Sequence, residues 1–128
     1  ASDVYKRQNR TYGNRMQKTI SDYLLSLGFI PNKCGYRYVF DLIYLATSGE
    51  EILPLKYVGY AEIAKKYKKT VDTVEKDVQN AISAAWLKGD VDALYNEFGE
   101  TIDMKKGKPG NKQFIMTAAA SILSKNKN

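Results

Sequence analysis

Apolar residues recur at intervals of three and four along most of the chain, and the two-residue alternation typical of strands is weak. The pattern therefore predicts an all-α fold with six helices. Glycine and proline interrupt the helical pattern, as at Gly28 and Pro31, because both disfavour continued helix. Lys88 and Gly89 are expected to end the fourth helix, with the glycine in a left-handed conformation. The predicted helices cover approximately residues 14–27, 36–46, 60–67, 71–87, 91–98 and 111–124.

The chain divides into one predicted domain and two short ends. Residues 1–14 lack apolar periodicity, so we expect a flexible arm there, or a remnant foreign to the domain. Residues 15–124 are expected to form a single helical domain, and residues 125–128 a disordered tail. A chain of 128 residues can bury roughly two-thirds of its unfolded surface around one core without a disulfide scaffold.

Composition narrows the chemistry that this chain can perform. One cysteine and no histidine exclude an internal disulfide and a cysteine–histidine zinc site. Cys34 has no histidine to activate it, and is expected to be a small, partly buried residue beside Gly35. We expect neither an enzyme nor a cofactor or metal. The longest apolar run, residues 114–123, is far shorter than the ~20 residues of a membrane helix, so we expect no membrane partner. The single cysteine favours a reducing compartment, so we expect a cytoplasmic protein.

The net charge of +6 is unevenly distributed along the chain. Residues 1–70 carry twelve Lys/Arg and six Asp/Glu, residues 71–100 carry two and seven, and residues 101–128 carry six and one. A polyanion would therefore meet two basic regions that flank an acidic one. An ordinary solvated surface with blocks of charge is the alternative, and charge alone leaves both interpretations open.

The third and fourth predicted helices carry apolar side chains at the spacing of a helix-turn-helix. Thr70 stands where an N-cap hydroxyl would accept a hydrogen bond from a backbone amide of the fourth helix. Lys68 and Lys69 depart from the common pattern, which has glycine and an apolar residue at these positions. A generic antiparallel helix pair can give the same spacing. The apolar and small positions are Ile63, Ala64, Tyr67, Val74, Val78 and Ile82.

If the valine stripe packs inward, the opposite face of the fourth helix presents polar side chains to a partner. The amide of Gln79 or Asn80 can pair with the N6/N7 edge of adenine, and Lys76 can donate to guanine. Glu75 or Asp77 can accept from cytosine N4. Each of these residues can also be an exposed polar side chain without a partner.

Two groups of lysines are candidate phosphate contacts beside this face. The first group surrounds the turn between the third and fourth helices, and the second surrounds the start of the last helix, whose free amides also attract anions. About five phosphate contacts would give a slope of log affinity against log salt near −4.5. Lysines that only keep the domain in solution are the alternative. The two groups are Lys65, Lys66, Lys68 and Lys69, and Lys105, Lys106, Lys108 and Lys112.

Beyond these patterns, the sequence resembles a known family over residues 19–123. It is similar to the C-terminal effector domain of the sporulation master response regulator, stage zero sporulation protein A. The segments that carry the resemblance are LGFIPNKCGYRY (27–38), IAKKY (63–67), TVDTVEKDVQNAISAAW (70–86), KGDVDAL (88–94) and FGETIDMKKGKPGNKQFI (98–115).

The resemblance implies a six-helix bacterial transcription regulator that binds double-stranded DNA, commonly as tandem copies, with the fourth helix in the major groove. RNA polymerase is a further candidate partner, and the bacterial nucleoid the expected location. In the family, the positions that face bases are mostly arginine and histidine. Among the aligned positions of this chain, only Glu75 looks unchanged. The DNA sequence recognised by the family therefore does not transfer, because lysine cannot reproduce the bidentate fork of arginine. The aligned base-contacting positions are Thr73, Glu75, Lys76, Gln79 and Asn80.

Two expectations complete this interpretation. Full-length family members carry an N-terminal receiver domain, and the residues before the first predicted helix are too few for one, so we expect this chain to lack it. The chain is then either an excised fragment or a protein that naturally lacks the receiver. The missing arginines and the acidic segment 71–100 motivate an alternative function. On that alternative, the chain is a protein-interaction module on the same scaffold, with weak or lost DNA binding.

Overall fold

A computed structural model describes residues 2–99, 102 and 107–126, with side chains described from Gly13 to Lys125 within these ranges. This part of the chain contains six helices and no strand, so the predicted all-α fold is confirmed. The helices are α1 (Ser2–Ser26), α2 (Cys34–Thr47), α3 (Gly59–Tyr67), α4 (Val71–Lys88), α5 (Val91–Phe98) and α6 (Asn111–Asn126).

The observed helix boundaries differ most from the predicted ones at the two ends of the chain. α1 begins at Ser2 rather than near Asn14, and α6 continues to Asn126, past the predicted end at Ser124. Apolar spacing marks only the part of a helix that packs against a core, so it does not report a polar extension. The division into arm, domain and tail stays a prediction.

Side-chain caps start α4 and α5. The hydroxyl of Thr70 accepts a hydrogen bond from the amide of Thr73 at 3.1 Å, which confirms the predicted N-cap. The carboxylate of Asp90 accepts from the amides of Asp92 and Ala93 at the start of α5. These contacts satisfy backbone donors that have no partner inside the helix.

Two glycines bring the ends of α1 and α4 together. Gly28 follows α1 with φ +100°, in the left-handed region, as expected for a residue just past a helix end. The prediction of a left-handed Gly89 is wrong, because its φ is −79° and its backbone is extended. Glycine is required there for space, since a Cβ would lie 2.3 Å from the carbonyl oxygen of Leu27.

α2 lies at the centre of the fold and packs against α1, α3, α4 and α6. Its apolar side chains, including Val39, Leu42 and Ile43, are fully buried. Beside this centre, the rings of Phe98 and Phe114 stack with centroids 4.7 Å apart, which joins the end of α5 to α6. The core thus positions α4 and the start of α6 through aromatic and aliphatic contacts.

The start of α2 approaches α4 closely. A Cβ at Gly35 would lie 2.1 Å from the carbonyl oxygen of Asp77 and 2.7 Å from the Cβ of Ala81. Only glycine permits this backbone contact, which fixes the position of α4. The prediction of a partly buried Cys34 is wrong, because the Cys34 thiol is exposed at the edge of the same contact.

Candidate nucleic-acid interface

α3 and α4 are joined by a turn with a left-handed residue. Lys68 has φ 57° and ψ 48°, and the amide of Lys69 donates to the carbonyl of Ala64 at 2.9 Å. This hydrogen bond closes a helix that ends in a left-handed residue, the conformation for which glycine is preferred. Lys68 therefore occupies the position where the common helix-turn-helix pattern has glycine, and it adopts the glycine conformation.

The predicted apolar stripe of α4 packs inward. Val74 and Val78 have no exposed surface, and Ile82 is 1% exposed. On α3, Ile63 and Ala64 are buried, and Tyr67 packs against the core as a partly buried residue. This packing is consistent with the predicted helix-turn-helix, and it leaves the opposite face of α4 in contact with solvent.

All five predicted base-contacting residues lie on exposed parts of α4. The hydroxyl of Thr73 accepts from the hydroxyl of Thr70 at 2.9 Å, so it belongs to the helix cap. Lys76 and Asn80 lie almost opposite the valine stripe at 100° per residue. The five exposed residues are Thr73, Glu75, Lys76, Gln79 and Asn80.

A groove of about 420 Å³ separates α4 from the start of α6. Asn111 of α6 fixes its geometry, because its side-chain amide donates to the hydroxyl of Tyr60 at 3.0 Å and to the carbonyl of Glu75 at 3.3 Å. Burial raises the pKa of Tyr60 above its ordinary value. The groove is lined by Leu55, Lys56, Tyr60, Glu75, Gln79, Lys108, Pro109, Gly110, Asn111 and Lys112.

A second cleft of about 320 Å³ lies on the other side of α4, against the start of α2. Asp77 and Asn80 contribute its α4 wall, and Lys33 and Cys34 its α2 wall. Gln79 and Asn80 are adjacent in sequence, but they border different depressions. Sequence periodicity did not single out Lys33, whose place beside Asn80 follows from the close approach of Gly35 to α4.

The turn lysines differ in their contacts. Lys65, Lys68 and Lys69 are exposed, and the described residues place no carboxylate within ion-pair distance of their ammonium groups. Lys66 instead forms an ion pair with Asp41 at 3.0 Å. Four lysines therefore lie near the turn, and one of them, Lys66, is paired with a carboxylate of the same domain.

The lysines at the start of α6 are only partly described. Lys112 is exposed, and Lys56, which sequence analysis did not select, lies on the same groove. Lys108 is half-buried and donates a hydrogen bond to the hydroxyl of Ser83. Lys105 and Lys106 lie outside the described residues.

A polar cluster that sequence analysis missed links α2 to α3. The hydroxyl of Tyr67 donates to Oδ2 of Asp41 at 2.5 Å, and the ammonium of Lys66 donates to the same oxygen. The Tyr38 ring packs on the Tyr67 ring with centroids 5.2 Å apart. Burial, and then the Asp41 carboxylate, raises the pKa of Tyr67. The sequence signal for this cluster is a lone acid inside the otherwise apolar segment 38–45.

Three carboxylates distinguish α4 from a purely cationic DNA-binding helix. Asp72 lies in the first turn, where the positive end of the helix dipole favours an acid by a few tenths of a kcal/mol. Glu75 lines the groove together with Lys56 and Lys112. These acids lower the attraction of α4 for phosphate.

Two further features, metal-ligand groups and membrane-spanning helices, are not found in the described part of the chain. Residues 2–99, 102 and 107–126 contain no group of three or more acidic or cysteine side chains that could hold a metal ion. None of the described helices combines the length and hydrophobicity needed to cross a membrane.

Comparison with known protein families identifies the family of this chain. Residues 20–122 match the family described as sporulation initiation factor Spo0A C terminal. The match covers α2 to α5, residues 20–26 of α1 and residues 111–122 of α6, so it includes the groove, the cleft and the turn lysines.

Proposed function

The chain belongs to the Spo0A C-terminal family of DNA-binding effector domains, and from this premise we propose that it is a sequence-specific regulator of transcription that inserts α4 into the DNA major groove. The observation that carries the proposal is the exposed polar face of α4, with Gln79 and Asn80, opposite a fully buried valine stripe. This family is regulatory rather than enzymatic.

Base recognition is assigned to side chains with complementary hydrogen-bonding groups. Gln79 and Asn80 each carry an amide that can donate to adenine N7 and accept from its N6 amino group. Lys76, between them and the helix cap, can donate to guanine O6 or N7. Glu75 can accept from cytosine N4. These contacts give discrimination between bases rather than general attraction.

Phosphate contacts are assigned to the lysines on either side of α4. Lys65, Lys68 and Lys69 extend from the turn, and Lys112 extends from the first turn of α6, where backbone amides also point outward. Lys105, Lys106 and Lys108 remain candidate phosphate contacts. Since α4 carries its own acids, the affinity should depend steeply on salt through these flanking groups.

The partners follow from the family. We propose that two copies bind in tandem on one DNA duplex and that the bound domain contacts RNA polymerase. We place the protein on the bacterial nucleoid, in the cytoplasm. Selection from a pool of random duplexes tests the tandem arrangement, because two copies would enrich two half-sites at a fixed spacing.

Duplex selection also tests the primary proposal. We expect one recovered motif and a salt slope near −4.5 for about five phosphate contacts. The variant K65Q/K69Q should lose about 1.8 from the magnitude of that slope. K18Q/K88Q removes the same charge from exposed positions on α1 and at the end of α4, and should change the slope much less. Recovery of no motif, with no binding at low salt, would contradict the proposal.

A protein-interaction module is the second candidate, and one observation favours it. Three large apolar side chains are exposed near one another in sequence at the end of α4 and along α5: Leu87 is 87% exposed, Val91 66% and Tyr95 62%. Exposed apolar patches mark contact surfaces. If the selection enriches no duplex while this surface still binds a protein, the second candidate replaces the first.

A further inference from the structure

Asp41 is a buried carboxylate in the middle of α2. Its side chain is 10% exposed, and it points from the otherwise apolar segment 38–45 of α2 toward the last turn of α3. Both described contacts reach the same oxygen, Oδ2, with the Tyr67 hydroxyl at 2.5 Å and the Lys66 ammonium at 3.0 Å. A carboxylate in this position needs such partners, because a buried charge without them is strongly unfavourable.

Lys66 differs from its neighbour Lys65 in one respect that bears on DNA binding. Its side chain is 60% exposed, yet its ammonium is paired with Asp41 and lies 5.3 Å from the centre of the Tyr67 ring. Solvent screens a pair with one buried partner less than it screens two exposed side chains. If Lys66 moved from Asp41 to a phosphate, the Asp41 carboxylate would also lose one of its two described hydrogen-bond donors.

We propose that Asp41 is a positioning residue that holds Lys66 away from DNA phosphate and thereby limits the non-specific attraction of the turn. The inference rests on the proposed function, because it concerns how strongly this surface attracts DNA. It divides the four turn lysines into Lys65, Lys68 and Lys69, which contact phosphate, and Lys66, which holds α3 against α2.

Asp41→Asn removes the negative charge at this position and keeps the size and shape of the side chain. The asparagine side-chain oxygen can still accept from the Tyr67 hydroxyl, so α2 and α3 remain linked, while Lys66 loses its counterion. The released ammonium then becomes available to phosphate. We expect the salt slope of binding to a mixed-sequence duplex to steepen by about 0.9. A fourfold drop in salt would then raise the affinity of the variant about 3.5-fold more than that of the wild type.

A matched control is available at the other described ion pair. Lys18 and Asp22 form an exposed pair on α1 at 3.1 Å, and Asp22→Asn changes the net charge by the same amount. We expect it to leave the slope unchanged. The double variant D41N/K66Q should return to the wild-type slope, because the released charge is absent. A loss of packing alone would lower affinity without steepening its salt dependence.

Neighbouring lysines give a second test that does not require a substitution in the core. Lys65→Gln should reduce the magnitude of the slope by about 0.9, whereas Lys66→Gln should leave it unchanged. Equal reductions for the two variants would overturn the inference, as would a D41N slope equal to that of the wild type. In both cases the wild type still binds DNA, so the proposed function stands. Failure of the wild-type domain to bind any duplex overturns both.

Discussion

A Cβ atom placed on Gly35 would lie 2.1 Å from the carbonyl oxygen of Asp77, so the backbones of α2 and α4 are in direct contact. The contact lies beside Asn80, a residue on the face of α4 assigned to DNA. The orientation of that face therefore depends on a residue that has no side chain.

Gly35→Ala tests this contact. The added methyl group must push α4 away from α2, and we expect a loss of about 3 kcal/mol in the free energy of unfolding, measured by chemical denaturation. Gly99→Ala is the control, because its Cβ would meet only the exposed Tyr95 side chain at 3.3 Å. A loss for Gly35→Ala no larger than for the control would show that the helices separate without cost.

Lys68→Gly tests the left-handed turn. A lysine at φ 57° carries a conformational cost that glycine avoids, and the gain outweighs the added flexibility of the unfolded chain. We expect a more stable domain, by about 0.5 kcal/mol, with a salt slope reduced in magnitude by about 0.9 as one phosphate contact is lost. Lys69→Gly removes the same charge without a left-handed residue, and should destabilise the domain.

Tyr67→Phe tests the hydrogen bond to Asp41. Hydrogen bonds to charged groups contribute about 1.5–3 kcal/mol, so we expect a loss in this range at neutral pH by thermal or chemical unfolding. Tyr57→Phe is the control, because Tyr57 is 75% exposed. Equal free energies of unfolding for Tyr67→Phe and Tyr57→Phe would show that the hydrogen bond from Tyr67 to Asp41 does not stabilise the domain.

The same substitution should change the alkaline limit of stability. The folded-state pKa of Tyr67 lies above the ordinary value of 10.0 because of burial and Asp41, so the protonated phenol favours the folded state. That contribution is complete below pH 10 and is lost as the pH rises from there toward the folded-state pKa. Stability should therefore fall above about pH 10, and fall less in Tyr67→Phe. If stability fell equally with pH in the wild type and in Tyr67→Phe, the ionisation of Tyr67 would not account for the loss.

Gln79→Ala and Lys112→Gln should have different effects on DNA binding. Removing a base contact costs about 1–3 kcal/mol at one base pair and leaves the salt slope unchanged, whereas removing a phosphate contact reduces affinity for all sequences and lowers the slope by about 0.9. Binding measured on the selected site and on single-base variants at several salt concentrations separates the two. Loss of base preference in Lys112→Gln would reverse these assignments.

Much of the scaffold could be predicted from apolar spacing, because the positions of apolar residues in an amphipathic helix identify the face that is buried. The stripe of Val74, Val78 and Ile82 and the Thr70 cap were predicted in this way and are confirmed. The conformation of Gly89 was predicted wrongly, since local helix-end rules do not include the approach of a distant segment, here the carbonyl of Leu27.

The candidate site could be predicted only in part. Exposure of the polar face followed from the valine stripe, but the pairing of Lys66 with Asp41 joins positions 25 residues apart. Nothing in local periodicity distinguishes Lys66 from Lys65. The division of that face between a groove with α6 and a cleft with α2 likewise depends on how whole helices cross, as at Gly35. Which bases are read stays a prediction.

The ring contacts that join α4, α5 and α6 also give the domain a built-in optical probe. Trp86 is the only tryptophan in the chain, and its indole makes edge-to-face contacts with the rings of Phe98 and Phe114, with centroids 5.5 and 6.2 Å apart. Its emission should respond when a duplex shifts the start of α6 relative to α4. Binding can then be followed in unlabelled protein, with no dye on the surface that receives the DNA.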